Sequence, residues 1–243
     1  MIGIIIQART GSSRLPKKIY KDLNGKYTLQ RVLGECKKSK LVNRIILAMP
    51  EYDSAEIKKR MYQGELKDCI DGRFRLFFGS SEDLVDRYFK AATKFDIHLI
   101  VRITADCPTT QAKLIDSMLI EYMKNGYNGF MGNNECVSSI PYPDGTDIEI
   151  FPLWMLAETH RDATLQQDRE HVTPYMYKNR SKYNVYEFHN KEPNPVIDMK
   201  FTGFSLDTQQ DYELLTEMIK HYDQYNDLNK AIELTEFRDN KGK

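Results

Sequence analysis

No sign of charge dominates this chain: 35 Lys and Arg stand against 35 Asp and Glu over 243 residues. Zero net charge gives no global attraction to nucleic acid or to an anionic membrane, so any electrostatic steering has to be local. Long apolar runs are also missing. Nothing approaches the roughly eighteen residues that a transmembrane helix requires. The apolar start at residues 2–6 is too short for a secretory signal and has no basic region before it. The four cysteines, Cys36, Cys69, Cys107 and Cys136, are widely separated and lack close-pair zinc spacing, which argues for reduced thiols. There are no internal repeats, low-complexity tracts or linkers. What remains is the expectation of a soluble, cytoplasmic protein with one large domain over residues 1–243.

What is present is a strand–helix rhythm. Residues 2–7 read as an apolar strand, and residues 29–38 as a helix with Leu29, Val32, Leu33 and Cys36 on one face. Residues 44–48 form a strand ended by Pro50, 54–62 a short polar helix and 73–78 a third strand. Ser80 is placed to cap the next helix, with Asp83 completing a capping-box variant. Residues 98–104 are the fourth strand, and Thr110 caps a helix closed by Gly126. This alternation predicts an α/β fold with a mostly parallel sheet covered by helices. The second half is less regular. Strands are expected at 128–133, 146–151, 183–188 and 200–206. Helices are expected at 153–161, within 168–179 around Pro174, at 208–219 and at 232–237. Residues 128–194 read as an acceptor-binding or dimerising subdomain.

Open parallel sheets bind ligands at the carboxyl ends of their strands. Two polar loops fall there, 8–18 and 105–108. The first reads Gln7-Ala-Arg-Thr-Gly-Ser-Ser-Arg-Leu-Pro-Lys-Lys18. Gly11, Ser12 and Ser13 let the backbone approach oxygen atoms, and Arg9, Arg14 and Lys18 supply cations. This suits a polyphosphate. Neither G-x-x-x-x-G-K-[ST] nor G-x-G-x-x-G is present, which excludes a Walker ATPase and a dinucleotide-binding fingerprint. On its own the loop reads equally as an exposed basic turn. Asp106 and Asp207 each stand at a strand-to-helix junction, where an isolated aspartate is commonly a cap. Arg102, inside an apolar strand, needs a partner or a ligand. Asp147 and Glu149, two apart on an expected strand, should face the same side.

The loop opens a series of motifs: Phe-Gly-Ser-Ser-Glu-Asp-Leu-Val-Asp-Arg-Tyr at 78–88, Val-Arg-Ile-Thr-Ala-Asp-Cys-Pro at 101–108, Pro-Asp-Gly-Thr-Asp-Ile-Glu-Ile-Phe at 143–151, Arg-Glu-His-Val-Thr-Pro-Tyr at 169–175 and Leu-Asp-Thr-Gln-Gln-Asp at 206–211. In this order the chain resembles the SpsF-type cytidylyltransferases of spore-coat polysaccharide synthesis, relatives of the CMP-ulosonic acid synthetases. The resemblance implies a three-layer nucleotidyltransferase-type Rossmann-like fold, a mostly parallel mixed sheet with helices on both faces. It implies Mg²⁺-dependent transfer of CMP from CTP to a small acceptor, with release of pyrophosphate, for a surface-polysaccharide precursor. The acceptor would be a keto-sugar acid or a phosphorylated sugar, polyol or amino acid.

The same resemblance implies roles for individual residues. The nucleotide would meet Gln7, Ala8, Arg9, Gly11, Ser12, Ser13, Arg14, Lys18, Ser80 and Arg102. Arg14, Lys18 and Asp106 would be catalytic, and Asp106 and Asp207 would hold the metal. Asp147, Glu149, Arg169, Glu170 and His171 would border the acceptor. A homodimer is implied, with no nucleic-acid or membrane partner. Two positions depart from the pattern, Lys17 and Ala105, where glycine is usual. The alternatives are a glycosyltransferase of related architecture, which commonly carries Asp-x-Asp where this chain has Asp106-Cys-Pro, and a non-catalytic nucleotide-binding protein.

Overall fold

The computed structural model describes residues 1–139, 142–188 and 204–235. In chain order the elements are β1 (Ile2–Gln7), a small hairpin of β2 (Asp22–Leu23) and β3 (Lys26–Tyr27), α1 (Thr28–Lys38), β4 (Arg44–Pro50), α2 (Ser54–Gln63), β5 (Phe74–Gly79), α3 (Leu84–Lys94), β6 (Leu99–Thr104) and α4 (Ala112–Lys124). Then come β7 (Phe130–Gly132), β8 (Glu149–Pro152), α5 (Leu153–Asp162), α6 (Gln166–His171), α7 (Pro174–Lys178), β9 (Val185–Glu187), α8 (Gln209–Tyr225) and α9 (Leu228–Leu234). Seven strands form one sheet in the order β5-β4-β1-β6-β8-β7-β9. β1, β4, β5 and β6 are parallel. β8 runs against both β6 and β7, and β9 is parallel to β7. This is the expected mixed, mostly parallel sheet.

β1 lies inside the sheet, between β4 and β6, and its isoleucines explain why. Ile4 and Ile6 face Val32 and Leu33 of α1, Ile57 and Met61 of α2 and Ile115 of α4. Ile5 faces the other way, onto Val85 and Tyr88 of α3 and Met155 of α5. A strand buried on both faces reads as a continuous apolar run, as this one does. The chain steps outward from β1 to β4 to β5, and α3 then returns it to β6 on the other side of β1. The strand order reverses between β1 and β6, which opens a crevice at their carboxyl ends.

A third apolar cluster joins the ends of the chain: Leu15 and Leu23 pack with Phe204, Leu206, Leu215 and Met218. It is stitched to the sheet by Leu206 N donating to Asp106 O (2.9 Å) and Phe204 N donating to Asp144 O (3.1 Å). Gly145 makes this approach possible. Its φ is +88°, and a Cβ there would lie 2.3 Å from the Phe204 carbonyl carbon. α8 then starts from a capping box. Thr208 Oγ1 accepts from Asp211 N, and the Asp211 carboxylate accepts from Thr208 N (2.7 Å) and Asp207 N (3.0 Å).

Several local expectations are corrected. Asp83, not Ser80, caps α3 by accepting from Asp86 N (2.9 Å). Ser80 is held outside the helix, because Arg87 Nε takes its carbonyl (2.8 Å). Thr110 spends its hydroxyl on Cys107 O (2.8 Å), and Glu35 of α1 accepts from Ala112 N at the start of α4 instead (3.1 Å). Residues 168–179 hold two short helices broken at Val172, and Pro174 stands near an end, as expected, at the first turn of α7. The strand expected at 146–151 begins only at Glu149; Asp147 lies just ahead of it, close enough to feel the charge of Glu149. The expected strand at 200–206 and helix at 232–237 lie partly outside the described residues, as do residues 189–194 of the expected subdomain. The cysteines are free. Among the described residues no helix is long and apolar enough to cross a membrane.

Gly145→Ala should destabilise the chain by about 2 kcal/mol or more, from the left-handed backbone and the clash with Phe204 together. Urea unfolding measures this. An unchanged midpoint would mean that the 144–145 and 204–206 segments are not in contact.

Candidate active site

The loop after β1 is held rather than free. Asp53, 3% exposed and in the turn after β4, accepts from Thr10 N (3.0 Å) and from the Thr10 hydroxyl. Thr10 O accepts in turn from Ser12 N (3.0 Å) and Lys17 N (3.1 Å). Leu15 N donates to Ser12 Oγ (3.3 Å), and the Leu15 side chain is buried in the third cluster. Lys17 takes φ +54°, the left-handed region that favours glycine. Its ammonium points out to Glu56 (3.6 Å). The departure at Lys17 is therefore accommodated at the surface. A 3₁₀ turn over Lys18–Tyr20 then carries the next side chain inward.

Lys18 Nζ lies 2.5 Å from Asp106 Oδ2 and 2.7 Å from Asp207 Oδ1. Arg14 Nη2 reaches the other Asp207 oxygen (2.8 Å) from a solvent-exposed position. Burial works to depress the Lys18 ammonium, but Asp106 and Asp207 outweigh it and hold the group above its ordinary range. Burial likewise opposes the Asp106 carboxylate, and Lys18 outweighs it, with help from Thr104, to keep it below the usual range. The result is one ammonium shared by two carboxylates, Asp106 beyond the end of β6 and Asp207 just before α8.

These groups border a cleft. Gln7, Ala8 and Arg9 line it from the end of β1, and Thr104, Ala105 and Asp106 from the end of β6. Lys18 and Ile19 close one side, Leu84 and Arg87 of α3 another, and Glu170 and His171 of α6 a third. Ala105, the other departure from glycine, is buried in this wall. The structure thus brings together Gln7, Ala8, Arg9, Lys18, Asp106, Glu170 and His171. Gly11, Ser12, Ser13 and Arg14 form the outer turn of the loop.

Other expected site residues turn toward the protein. Ser80 Oγ accepts from Glu82 N (3.3 Å) and Asp83 N (3.0 Å). Arg102 is paired with Glu149 at 2.5 Å, and both side chains are buried. Arg169 donates to Asp83 Oδ2 (2.8 Å) and to the carbonyls of His160 and Ala163 (3.0 Å each), tying α6 to the start of α3. In this structure Ser80, Glu149 and Arg169 spend their polar groups on the fold, while Arg102 pairs with Glu149 through Nη1 and keeps its buried Nε without a partner among the described residues. Asp147 is pushed up to about 7, first by burial and then by Asp144 and Glu149.

Sequence reasoning missed three contributors. Asp53 stands just ahead of the helix at 54–63 and Thr10 within the loop, and no local pattern links the two. Arg87 was seen only as part of a motif. It is 1% exposed, and its three acceptors are backbone carbonyls of Ser80, Ala48 (3.4 Å) and Ser81 (3.4 Å). Among the described residues no carboxylate pairs with it. Burial depresses its guanidinium, which therefore favours an anionic or carbonyl-rich ligand in the cleft. The available signal was a charge on the buried face of α3, one turn after Leu84.

An open α/β sheet with a pinned cationic loop and two lysine-bridged aspartates near its switch point is an arrangement suited to a nucleotide polyphosphate. The class of protein follows from its relatives. The model of the cytidylyltransferase family matches residues 3–236, and the chain belongs to that family. It is 32% identical over 236 residues to the uncharacterised protein MJ1063 of Methanocaldococcus jannaschii, covering 96% of this chain and 89% of that one. It is 27% identical over 217 residues to the spore coat polysaccharide biosynthesis protein SpsF of Bacillus subtilis, covering 87% and 83%. A cytidylyltransferase structure from Leptospira borgpetersenii matches with a TM-score of 0.78 at 31% identity, covering 96% of this chain and 91% of that one. The chain is accordingly an enzyme of cytidylyl transfer, moving CMP from CTP to a small acceptor.

Two outcomes follow from this geometry. Asp53→Ala leaves Thr10 N without its acceptor and should cost about 1–3 kcal/mol in urea unfolding. It should also weaken CTP binding in calorimetry, and equal affinity would show that loop anchoring is irrelevant to the nucleotide. The Asp147 carboxyl has a folded-state pKa above its ordinary 3.8. Between about 4 and about 7 the folded chain then binds more protons than the unfolded one, so this residue makes stability fall as pH rises. Asp147→Asn should remove that slope and gain most at pH 8. Parallel stability–pH curves for the two proteins would refute the assignment.

Proposed function

We propose that this chain is an SpsF-type, Mg²⁺-dependent cytidylyltransferase that activates a small acceptor for surface-polysaccharide synthesis in the cytoplasm. The observation that carries the reading is the Lys18 ammonium between Asp106 and Asp207. Two hard-oxygen carboxylates that already share one cation suit Mg²⁺, which is usually held by one or two carboxylates together with substrate phosphates. Asp106 and Asp207 would hold the ion. When bound, it neutralises charge developing on the phosphates.

The chain's own groups do the remaining work by position. Arg14, Lys18 and the small residues Gly11, Ser12 and Ser13 receive the triphosphate, with Lys18 moving its charge from carboxylate to phosphate. Gln7, Ala8 and Arg9 face the nucleoside from the end of β1, and Arg87, which no carboxylate pairs among the described residues, supplies a buried cation beside them. Glu170 and His171 share this cleft, so they stand where nucleotide and acceptor meet. The acceptor oxygen attacks the α-phosphorus in line and the bond to pyrophosphate breaks. Catalysis rests on orientation and preorganised charge. A phosphorylated acceptor is already ionised and needs little base. A hydroxyl acceptor would call on His171 or on the metal. The described part of the expected subdomain, residues 128–139 and 142–188, is assigned to the acceptor wall or a homodimer contact, and Trp154 and Leu165 there are 41% and 64% exposed.

The test is pyrophosphate release with Mg²⁺, each of the four ribonucleoside triphosphates, and a panel of keto-sugar acids and phosphorylated sugars, polyols and amino acids. Release with CTP and one acceptor is expected. Asp106→Asn should lower that rate by about 100-fold or more with an unchanged circular dichroism spectrum. An undiminished Mg²⁺-dependent rate in the variant would remove Asp106 from the mechanism.

A further inference from the structure

One backbone conformation in this site is unusual. Val172 has φ +72° and ψ −55°, and Thr173 N donates to His171 O at 2.9 Å across it. That is a classic γ-turn, a rare and strained form, centred on a β-branched residue. Such strain persists only where the surroundings over-determine it. Here they do. The Val172 side chain is fully buried in the cluster that includes Phe130, Phe151 and Met176. Upstream, Arg169 is clamped to Asp83 and to two carbonyls. Downstream, Thr173 Oγ1 donates to Glu149 Oε1 (3.1 Å), which also accepts from Asn134 Nδ2 (3.0 Å), while Glu149 Oε2 takes Arg102 Nη1 (2.5 Å).

The turn lies directly after Glu170 and His171, the two α6 residues that line the cleft opposite Lys18 and Asp106. Arg102 is on β6, the strand that delivers Asp106. We propose that Thr173, Glu149 and Arg102 are positioning residues: their buried chain locks the γ-turn at Val172 and so holds Glu170 and His171 against the nucleotide in the cleft. This assignment rests on reading the cleft as the cytidylyl-transfer site. It replaces direct ligand contacts for Arg102 and Glu149 with an action through the turn.

The experiment compares Thr173→Val, which keeps the shape and removes the hydroxyl, with Thr173→Ser, which keeps the hydroxyl. CTP is the probe, by calorimetry, alongside hydrogen exchange over residues 166–178 and thermal unfolding. The expected result is faster exchange of this segment and at least tenfold weaker CTP binding in Thr173→Val, with Thr173→Ser within twofold of the wild type in both. Equal CTP affinity in wild type and Thr173→Val overturns the proposal. So do parallel losses of affinity and melting temperature in both variants, which mark a merely structural contact. Unchanged exchange in Thr173→Val refutes the anchor whatever the affinity. A wild-type chain that does not bind CTP fails the functional reading itself, and is distinguished because the exchange comparison needs no ligand.

Discussion

The site depends on one ammonium. Lys18 is held between carboxylates 88 and 189 residues further along the chain. Removing a lysine and two aspartates from water is costly unless each charge meets another at close range. That requirement can be satisfied only if β1 and β6 are neighbours and the end of the chain is brought back over the crevice. The parallel register of β1 on β6 provides the first condition. The third apolar cluster, with Leu15 on one side and Phe204 and Leu206 on the other, provides the second. Two apolar packings thus set up the ion cluster, and a ligand can exchange its own charges into a place that the protein keeps polar.

The charges around the crevice divide by how they are satisfied. Arg102 is paired with Glu149 beneath the sheet's end, with its Nε still without a partner among the described residues, and Arg169 is closed on Asp83. Such groups shape the walls. Among the described residues Arg87 donates to carbonyl oxygens and to no carboxylate, Arg9 lies open on the cleft, and Lys18 shares two carboxylates that face solvent in part. Those groups have capacity left for phosphate oxygens. The strained Val172 turn stands between the two sets, joined to the closed pair through Thr173 and to the open cleft through His171.

Much of the fold was legible because it depends on local pattern. The run Ile2-Gly-Ile-Ile-Ile reads as a doubly buried strand, and it lies inside the sheet between β4 and β6. The 3.6-residue spacing of Leu29, Val32, Leu33 and Cys36 reads as the buried face of α1. Caps were less legible, because a serine or threonine before a helix has competing acceptors. Ser80 lost its place to Asp83 once Arg87 claimed its carbonyl, and Thr110 turned back to Cys107. The break at Val172 was unreadable, since nothing in a valine's local sequence signals a positive φ imposed by burial.

By itself, the sequence determined that β1 would be buried, that helices would cover a parallel sheet, and that a cationic loop and an aspartate would fall at strand ends. These follow from apolar periodicity and from the residue types that turns accept. Only the tertiary structure decided which charges meet. Arg102 looked as available to a ligand as Arg9, and Asp207 as ordinary as any helix cap. Whether a charged side chain is free or spent depends on what the fold places within about 3 Å of it, and those partners lie tens to hundreds of residues away, beyond the reach of any local pattern.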